Sequence, residues 1–265
     1  GSGVVIIYII SDAVGETAQR VVQATLLQYP QLKPTIRTYP FVTTVDELAP
    51  IMQDAVAEQA VVATTFVTAK LATWATDFAA QHQLQLVNYM SPLMQVLTTQ
   101  TGTAPLAQPG MLHTINGDYF KKVAALDFAV AHDDGQNLQT LAKADLLILG
   151  VSRTSKTPVS LYLAEQRLKV ANIPLLPDNP LDEAVYQLPK EKIVGLTISP
   201  QRLQKVRQTR MAALGLTADN YYTDVASIEK ELDYAAAIFT KLQITPIDTT
   251  ERSVEETAAL IMQRR

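Results

Sequence analysis

Hydrophobic positions along the chain switch repeatedly between two periods. Residues 4–10, Val-Val-Ile-Ile-Tyr-Ile-Ile, form an unbroken β-branched run, the pattern of a strand covered on both faces. Apolar residues at helical spacing come next, through residue 27. The alternation then recurs: strand over 35–39, helix over 44–58, strand over 60–66, helix over 68–81, strand over 84–88 and helix to about residue 101. Thr44-Val-Asp-Glu47 is a capping box, and Ser91-Pro92 places an N-cap ahead of a first-turn proline. Four strand–helix units in succession predict a parallel sheet with helices on both faces. Trp74, the single tryptophan, falls in the 68–81 helix and reads as core packing.

The stretch Thr101-Gly-Thr-Ala-Pro-Leu-Ala-Gln-Pro-Gly110 breaks the pattern and reads as an exposed connection. Helical spacing returns over 119–130 and ends abruptly at His132-Asp133-Asp134-Gly135. A strand over 146–149, a helix over 157–169 and strands over 171–176 and 191–198 come next. A helix that Ser199 caps ahead of Pro200, a helix over 227–241, a strand over 245–248 and a terminal helix capped by Ser253-x-x-Glu256 complete the chain. The expected fold class is α/β. An N-terminal parallel-sheet α/β domain over 4–138 precedes a P-loop-containing α/β nucleotide-binding domain over 139–265, with the break at 102–110 as a competing cut.

Composition narrows the function. With 265 residues, 48% of them apolar, the chain can bury a substantial core. A net charge of −4 gives no general basic signal for nucleic acid or an anionic membrane. The absence of cysteine rules out disulfides, thiolate metal sites and cysteine nucleophiles, and suits a cytoplasmic protein. Three histidines leave little for a His-rich metal site. No apolar run approaches the roughly 20 residues of a membrane span. Gly1-Ser-Gly3 reads as a cloning remnant.

The candidate chemistry centres on the sequence after residue 146. The apolar run 146–149 ends at Gly150, small and polar residues come after it, and then a helix opens at Lys-Thr. That order is strand, glycine, loop, Lys-Thr, helix, as in a phosphate-binding loop. Against the template G-x-x-x-x-G-K-[ST], Gly150, Lys156 and Thr157 match, and Ser155 stands where the second glycine is expected. The backbone of Val151, Ser152, Arg153, Thr154 and Ser155 can cradle a phosphate, Lys156 can neutralise it, and Thr157 can hold Mg²⁺. What Ser155 forfeits is the ease of a turn with φ > 0. Asp133 and Asp134 before Gly135 read by themselves as a solvated helix end or turn; because a helix C-terminus is already partly negative, a cation beside them, Mg²⁺ or a basic side chain, is the alternative. Ser11 and Asp12 stand at the carboxyl end of a strand, as ligand residues or as a helix N-cap. The helix after Pro200 carries Arg202, Lys205, Arg207 and Arg210, a solvated basic face by the usual reading or a contact to phosphates or an acidic partner, with Arg207 or Arg210 expected to face the site. Asp178 is a ligand residue or a turn aspartate. No Walker-B aspartate ends the 191–198 strand.

Longer motifs specify more. His113-x-x-Asn116-x-x-Tyr119-Phe120-Lys121, then Asp133-Asp134-Gly135, Ala144-Asp145 and Gly150-Val-Ser-Arg-Thr-Ser-Lys-Thr-Pro158 form an ordered series. Ser11-Asp12 with Gly15-Glu16-Thr17-Ala18, Lys169-Val-Ala-Asn-Ile-Pro-Leu175 and Ser253-Val-Glu-Glu-Thr-Ala258 extend it in both directions. This series resembles the regulatory proteins of pyruvate, phosphate dikinase and their relatives that act on phosphoenolpyruvate synthase. Ala13-Val14 and Asp127 depart from the usual family residues.

The resemblance implies a bifunctional enzyme. One activity uses ADP to phosphorylate a threonine of the dikinase and switch it off. The other removes that phosphate by attack of inorganic phosphate, releasing pyrophosphate. It further implies Mg²⁺, the dikinase or phosphoenolpyruvate synthase as protein substrate, and a cytoplasmic location. Oligomeric state stays open, a homodimer being a guess. One cradle could serve both reactions, with Lys156 and Arg153 stabilising charge on the transferring group. Asp133, Asp134, Asp12 and His113 are the candidates for the base, with Asp133 or Asp134 preferred. Two other readings are a small-molecule P-loop kinase, which would use ATP, and a nucleotide-sensing module without turnover.

Overall fold

The structure, a computed structural model, describes residues 3–217 and 220–265. Gly1 and Ser2 of the expected cloning remnant lie outside the described residues. The chain forms two compact units, one ending at Thr114 and the other beginning at Ile115.

The first unit runs β1 (Val4–Ile10), α1 (Glu16–Leu26), β2 (Lys33–Tyr39), α2 (Val45–Ala57), β3 (Val61–Thr64), α3 (Ala69–Gln81), β4 (Leu86–Asn88) and α4 (Ser91–Thr101). Its strands lie in the order β2-β1-β3-β4, and every pair is parallel. The unbroken apolar run of β1 has a simple cause. Tyr8 and Ile10 pack with Leu48 and Met52 of α2 and Leu71 of α3 on one face. Ile7 and Ile9 pack with Ala18 and Val22 of α1 on the other. Both faces of a central strand are covered, so no polar alternation survives. The edge strand β2, Lys-Pro-Thr-Ile-Arg-Thr-Tyr, is largely exposed.

The second unit contains α5 (Gly117–Ala131), β5 (Leu146–Gly150), α6 (Lys156–Glu165), β6 (Val170–Pro174), α7 (Glu183–Tyr186), β7 (Ile193–Thr197), α8 (Pro200–Ala213), α9 (Val225–Lys241), β8 (Ile247–Asp248) and α10 (Val254–Gln263). The sheet order is β6-β5-β7-β8, again parallel throughout. Leu147 and Leu149 pack with Leu203, Ile228 and Phe239. Leu146 and Ile148 face Val159, Leu163 and Ile261. The expected α/β class is therefore present in both units.

Three details differ from the sequence reading. The division at 114/115 falls ahead of the expected cut at 138/139. Helix α5 belongs to the second unit: Ala125 and Ala129 pack on Ala164, and Phe128 enters the core under β5 and β6. Ser91 opens α4 as its first helical residue and does not cap it, because its hydroxyl accepts a bond from Asn88 Nδ2. The short α7 turn is an addition, since four residues are too few to carry a periodic signal. Thr44, Ser199 and Ser253 cap their helices as expected, and Trp74 stacks on Phe78 beside the core.

Each sheet has one strand, β1 or β5, whose neighbours are reached by crossovers running in opposite directions. The carboxyl end of such a strand is a topological switch point, where open α/β sheets place ligands. In the second unit that position is occupied by residues 151–155.

Candidate phosphate-binding site

The loop after β5 is shaped by a close approach. A Cβ built on Gly150 would lie 2.6 Å from Thr154 Oγ1 and 3.1 Å from Leu196 O. Only glycine lets the loop fold back so tightly. Thr154, fully buried, donates its hydroxyl to Val151 O at 2.8 Å and locks the bend. Arg153 and Ser155 adopt left-handed conformations, φ 70° and φ 74°. The turn that the sequence template assigns to glycine is therefore made by Ser155 at a conformational cost.

This bend leaves the main chain open. Among the described residues, the N–H groups of residues 152–157 find no protein acceptor, and α6 has no side-chain N-cap. Unpaired N–H groups converging at the start of a helix form an anion cradle. Lys156, 5% exposed, donates to Val151 O at 2.8 Å and lies within the loop. Burial pushes its pKa down to about 8, although Asp134 and Asp133 nearby favour its charged form. The exposed Arg153 side chain lines the mouth of the cavity and makes no bond with the described residues.

That cavity, of about 440 Å³, is lined by Asp133, Asp134, Arg153, Ser155, Lys156 and Thr157 among others. Thr157 Oγ1 donates to Asp133 Oδ1 at 2.6 Å. The two aspartates are held there by Asn172 of β6. Its Nδ2 donates to Asp133 Oδ1 at 2.8 Å, and its Oδ1 accepts from Asp134 N at 3.2 Å. Asp134, with φ 53°, presents an exposed carboxylate that no protein donor engages among the described residues. Thr157 and Asp133 offer hard oxygen donors of the kind Mg²⁺ prefers. No group of three or more His, Cys, Asp or Glu side chains gathers at a metal-binding distance among the described residues.

Arg207 shapes the loop from behind. It is fully buried in α8, and its guanidinium donates to Glu231 at 2.5 Å, to Tyr222 O at 3.1 Å and to Ser152 O at 3.1 Å. It also lies over the Tyr222 ring, 4.4 Å from its centre. The expectation that Arg207 or Arg210 faces the site is thus corrected. Arg207 grips the loop carbonyl through its own buried ion pair. Arg210 is exposed and is absent from the cavity wall, where α8 contributes Val206 instead. Asp178 is an exposed residue in the Leu176–Asn179 turn.

The structure therefore brings together every residue of the predicted loop with Asp133 and Asp134. Asp12 and His113 line a different cavity, within the first unit. Asp12 caps nothing in α1: its carboxylate accepts from Val67 N and Thr68 N at the start of α3. Asn172, Glu231 and Tyr222 escaped assignment as site residues. Asn172 had a legible signal, a lone amide in the apolar strand Val-Ala-Asn-Ile-Pro, since a fully buried polar group needs partners.

A family model described as kinase/pyrophosphorylase matches residues 7–262. The chain belongs to the kinase/pyrophosphorylase family. It is 43% identical over 261 residues to the protein of Enterococcus faecalis named pyruvate, phosphate dikinase regulatory protein 1, covering 98% of this chain and 97% of that one. It is 41% identical over 259 residues to the Streptococcus sanguinis protein named pyruvate, phosphate dikinase regulatory protein, covering 97% and 95%. A Latilactobacillus sakei relative, regulatory protein 2, is 43% identical over 256 residues, covering 96% and 97%. No helix among the described residues is long and apolar enough to cross a membrane.

Three outcomes are expected. Ser155→Gly removes the strained side-chain conformation and raises the free energy of unfolding by about 0.5–1 kcal/mol, read from urea denaturation with an unchanged slope. Arg207→Ala strands Glu231 in the interior and costs about 3–5 kcal/mol on the same measurement. Lys156 must be charged to hold a phosphate. Should ADP be the ligand of this loop, its affinity falls as pH rises above about 8, by up to about tenfold per unit, and calorimetry in buffers of different ionisation enthalpy detects proton uptake on binding near that pH.

Proposed function

We propose that the protein is a regulator of pyruvate, phosphate dikinase that adds and removes phosphate on one threonine of that enzyme. ADP serves as donor in the first direction and inorganic phosphate as acceptor in the second. The observation that carries this reading is the row of unpaired N–H groups at residues 152–157, with Lys156 inside it and Asp134 facing the same cavity, in a chain of the kinase/pyrophosphorylase family. The relatives' names supply the target.

Phosphoryl transfer requires mainly positioning and charge neutralisation. In the forward direction the threonine Oγ attacks the β-phosphorus of ADP. The bond from that phosphorus to the bridging oxygen breaks, AMP leaves, and Asp134 takes the hydroxyl proton. In the opposing direction an oxygen of inorganic phosphate, resting in the cradle, attacks the phosphothreonine phosphorus. The threonine oxygen leaves and receives, through Asp134, the proton that the attacking phosphate gives up, and pyrophosphate is released. The cradle then holds the β-phosphate in one case and free phosphate in the other, which is why one loop serves both. Lys156 swings from Val151 O to the anion, and Arg153 at the mouth offsets charge on the group in transit. Thr157 and Asp133 would hold Mg²⁺, which supplies further charge neutralisation when bound. Asn172 keeps both aspartates on the cavity wall.

The decisive assay incubates the protein with purified dikinase, and separately with phosphoenolpyruvate synthase, in the presence of ADP or ATP, and tracks phosphothreonine. Label from ADP on the dikinase is expected. Use of ATP, with label on a metabolite, would support a small-molecule kinase instead. Lys156→Ala is expected to abolish both directions, and loss of only one would show that the two reactions use separate sites. Asp134→Asn should lower turnover about 10²–10⁴-fold with ADP affinity within about twofold of wild type. An ADP affinity that collapsed together with turnover would reassign Asp134 to metal binding or structure.

A further inference from the structure

The two units share more than a strand order. In the second, β5 ends at Gly150 and α6 begins at Lys156. In the first, β1 ends at Ile10 and α1 begins at Glu16, so residues 11–15 occupy the place of 151–155. Both loops end on a left-handed N-cap without a side-chain bond to its helix, Gly15 at φ 87°, ψ 9° and Ser155 at φ 74°, ψ 21°. Among the described residues, the N–H groups of residues 14–18 find no protein acceptor, as in the phosphate loop. The charge is inverted, however. Glu16 stands where Lys156 does, and its carboxylate pairs with Arg20 at 2.8 Å and with His113 at 3.0 Å, Glu16 and His113 both lining the cavity beside the loop. A loop with a glutamate in place of the lysine is unsuited to the charge of a nucleotide's phosphates.

Beside this loop lies a cavity of about 150 Å³, lined by Ser11, Asp12, Gly15, Thr17 and Thr65 among others. Its polar floor is buried: Ser11 is 2%, Asp12 4% and Thr65 7% exposed. Ser11 Oγ accepts from Ala13 N and from Thr65 Oγ1, each at 3.0 Å. Two hydroxyls share one bond there, so one of their two protons has no acceptor among the described residues. Asp12 Oδ2 accepts three bonds, from Val67 N at 3.0 Å and from Thr68 N and Oγ1 at 3.2 Å each, whereas Oδ1 accepts none among the described residues. The floor thus offers one spare O–H donor and one spare carboxylate acceptor side by side. A hydroxyl group, which both accepts and donates, satisfies the pair. The bare N–H groups of the loop suit a single carboxylate without needing a lysine.

The geometry points to a second small-molecule site in the first unit, at the carboxyl ends of β1 and β3, that takes a small carboxylate carrying an adjacent hydroxyl. The carboxylate lies on the N–H groups of residues 14–18, and the hydroxyl bridges Asp12 Oδ1 and the Ser11–Thr65 pair. The cavity is too small for a nucleotide, so this site is an effector or recognition site and not a duplicate of the phosphate loop. It is independent of the reaction proposed for the second unit.

Glycerate is the probe, with glycerol and acetate carrying its two groups separately. Titration of the full chain, monitored by calorimetry and amide chemical shifts, should give saturable glycerate binding with shifts at residues 14–18, at least about tenfold tighter than either control. Asp12→Asn keeps an oxygen on Val67 and Thr68 and turns an N–H₂ group toward the cavity. It should weaken glycerate about tenfold or more and leave ADP affinity unchanged. Should that variant fold poorly, the double variant Ser11→Ala with Thr65→Val, which removes both hydroxyls and with them the spare donor, carries the same expectation. Glycerate shifts confined to residues 152–157, equal affinity for all three probes, or wild-type glycerate affinity in the folded variant would overturn the proposal.

Discussion

The constraint on which the site depends is the fate of the main-chain N–H groups after β5. A strand that ends under a helix must turn, and a turn normally ties its N–H groups to carbonyls or to a capping side chain. Here the close approach at Gly150 and the Thr154 bond to Val151 O take up the bend with a side chain, leaving the backbone donors of residues 152–157 free among the described residues. The left-handed conformations at Arg153 and Ser155 belong to the same arrangement: local strain is tolerated where the surrounding packing fixes the chain. An anion is the natural partner for such a row of donors.

Two buried networks keep the loop in place, one on each side. Arg207, paired with Glu231, reaches Ser152 O from the α8–α9 layer. Asn172, in the middle of β6, fixes Asp133 against Thr157 and Asp134 at the cavity wall. Both are polar groups placed in apolar layers, where an unsatisfied bond is costly and a satisfied one is rigid. The cost of burying Arg207 is offset by the acceptors of its two terminal nitrogens and by the Tyr222 ring, while its Nε is buried without a partner among the described residues. The lowered pKa of Lys156 is a consequence of the same enclosure, since the loop buries its ammonium beside one carbonyl until an anion arrives.

Comparison of the two loops shows one backbone arrangement carrying opposite side-chain charge. Strand order, loop length and left-handed N-cap coincide, so the anion-facing N–H groups recur. The side chain at the first helical position differs in sign, Glu16 against Lys156, whereas both cavities carry carboxylates, Asp12 beside two hydroxyls in one and Asp133 and Asp134 beside Thr157 in the other. Backbone geometry sets where a ligand sits, and side-chain charge sets what it is.

Most of the elements, the α/β class and the loop were legible in the amino-acid pattern alone. Period, capping residues and a glycine ahead of Lys-Thr are local features, and local features survive without a partner: the Thr44–Glu47 box and the run 4–10 read correctly because their neighbours in space only reinforced them. The ordered motifs also led to the family. Which distant residues meet the loop was settled by packing in three dimensions. Helix α5 joins the second unit through alanines whose pattern gives no partner, Asp12 holds the chain ahead of α3 by accepting from Val67 N and Thr68 N and does not cap its own helix, and Arg207 turns inward while its basic neighbours Arg202, Lys205 and Arg210 stay in solvent. A helix face with four cations looks solvated until a buried glutamate from another helix comes within 2.5 Å of one of them. That encounter, like the one between Asn172 and the two aspartates, is long-range in sequence, and no periodicity encodes it.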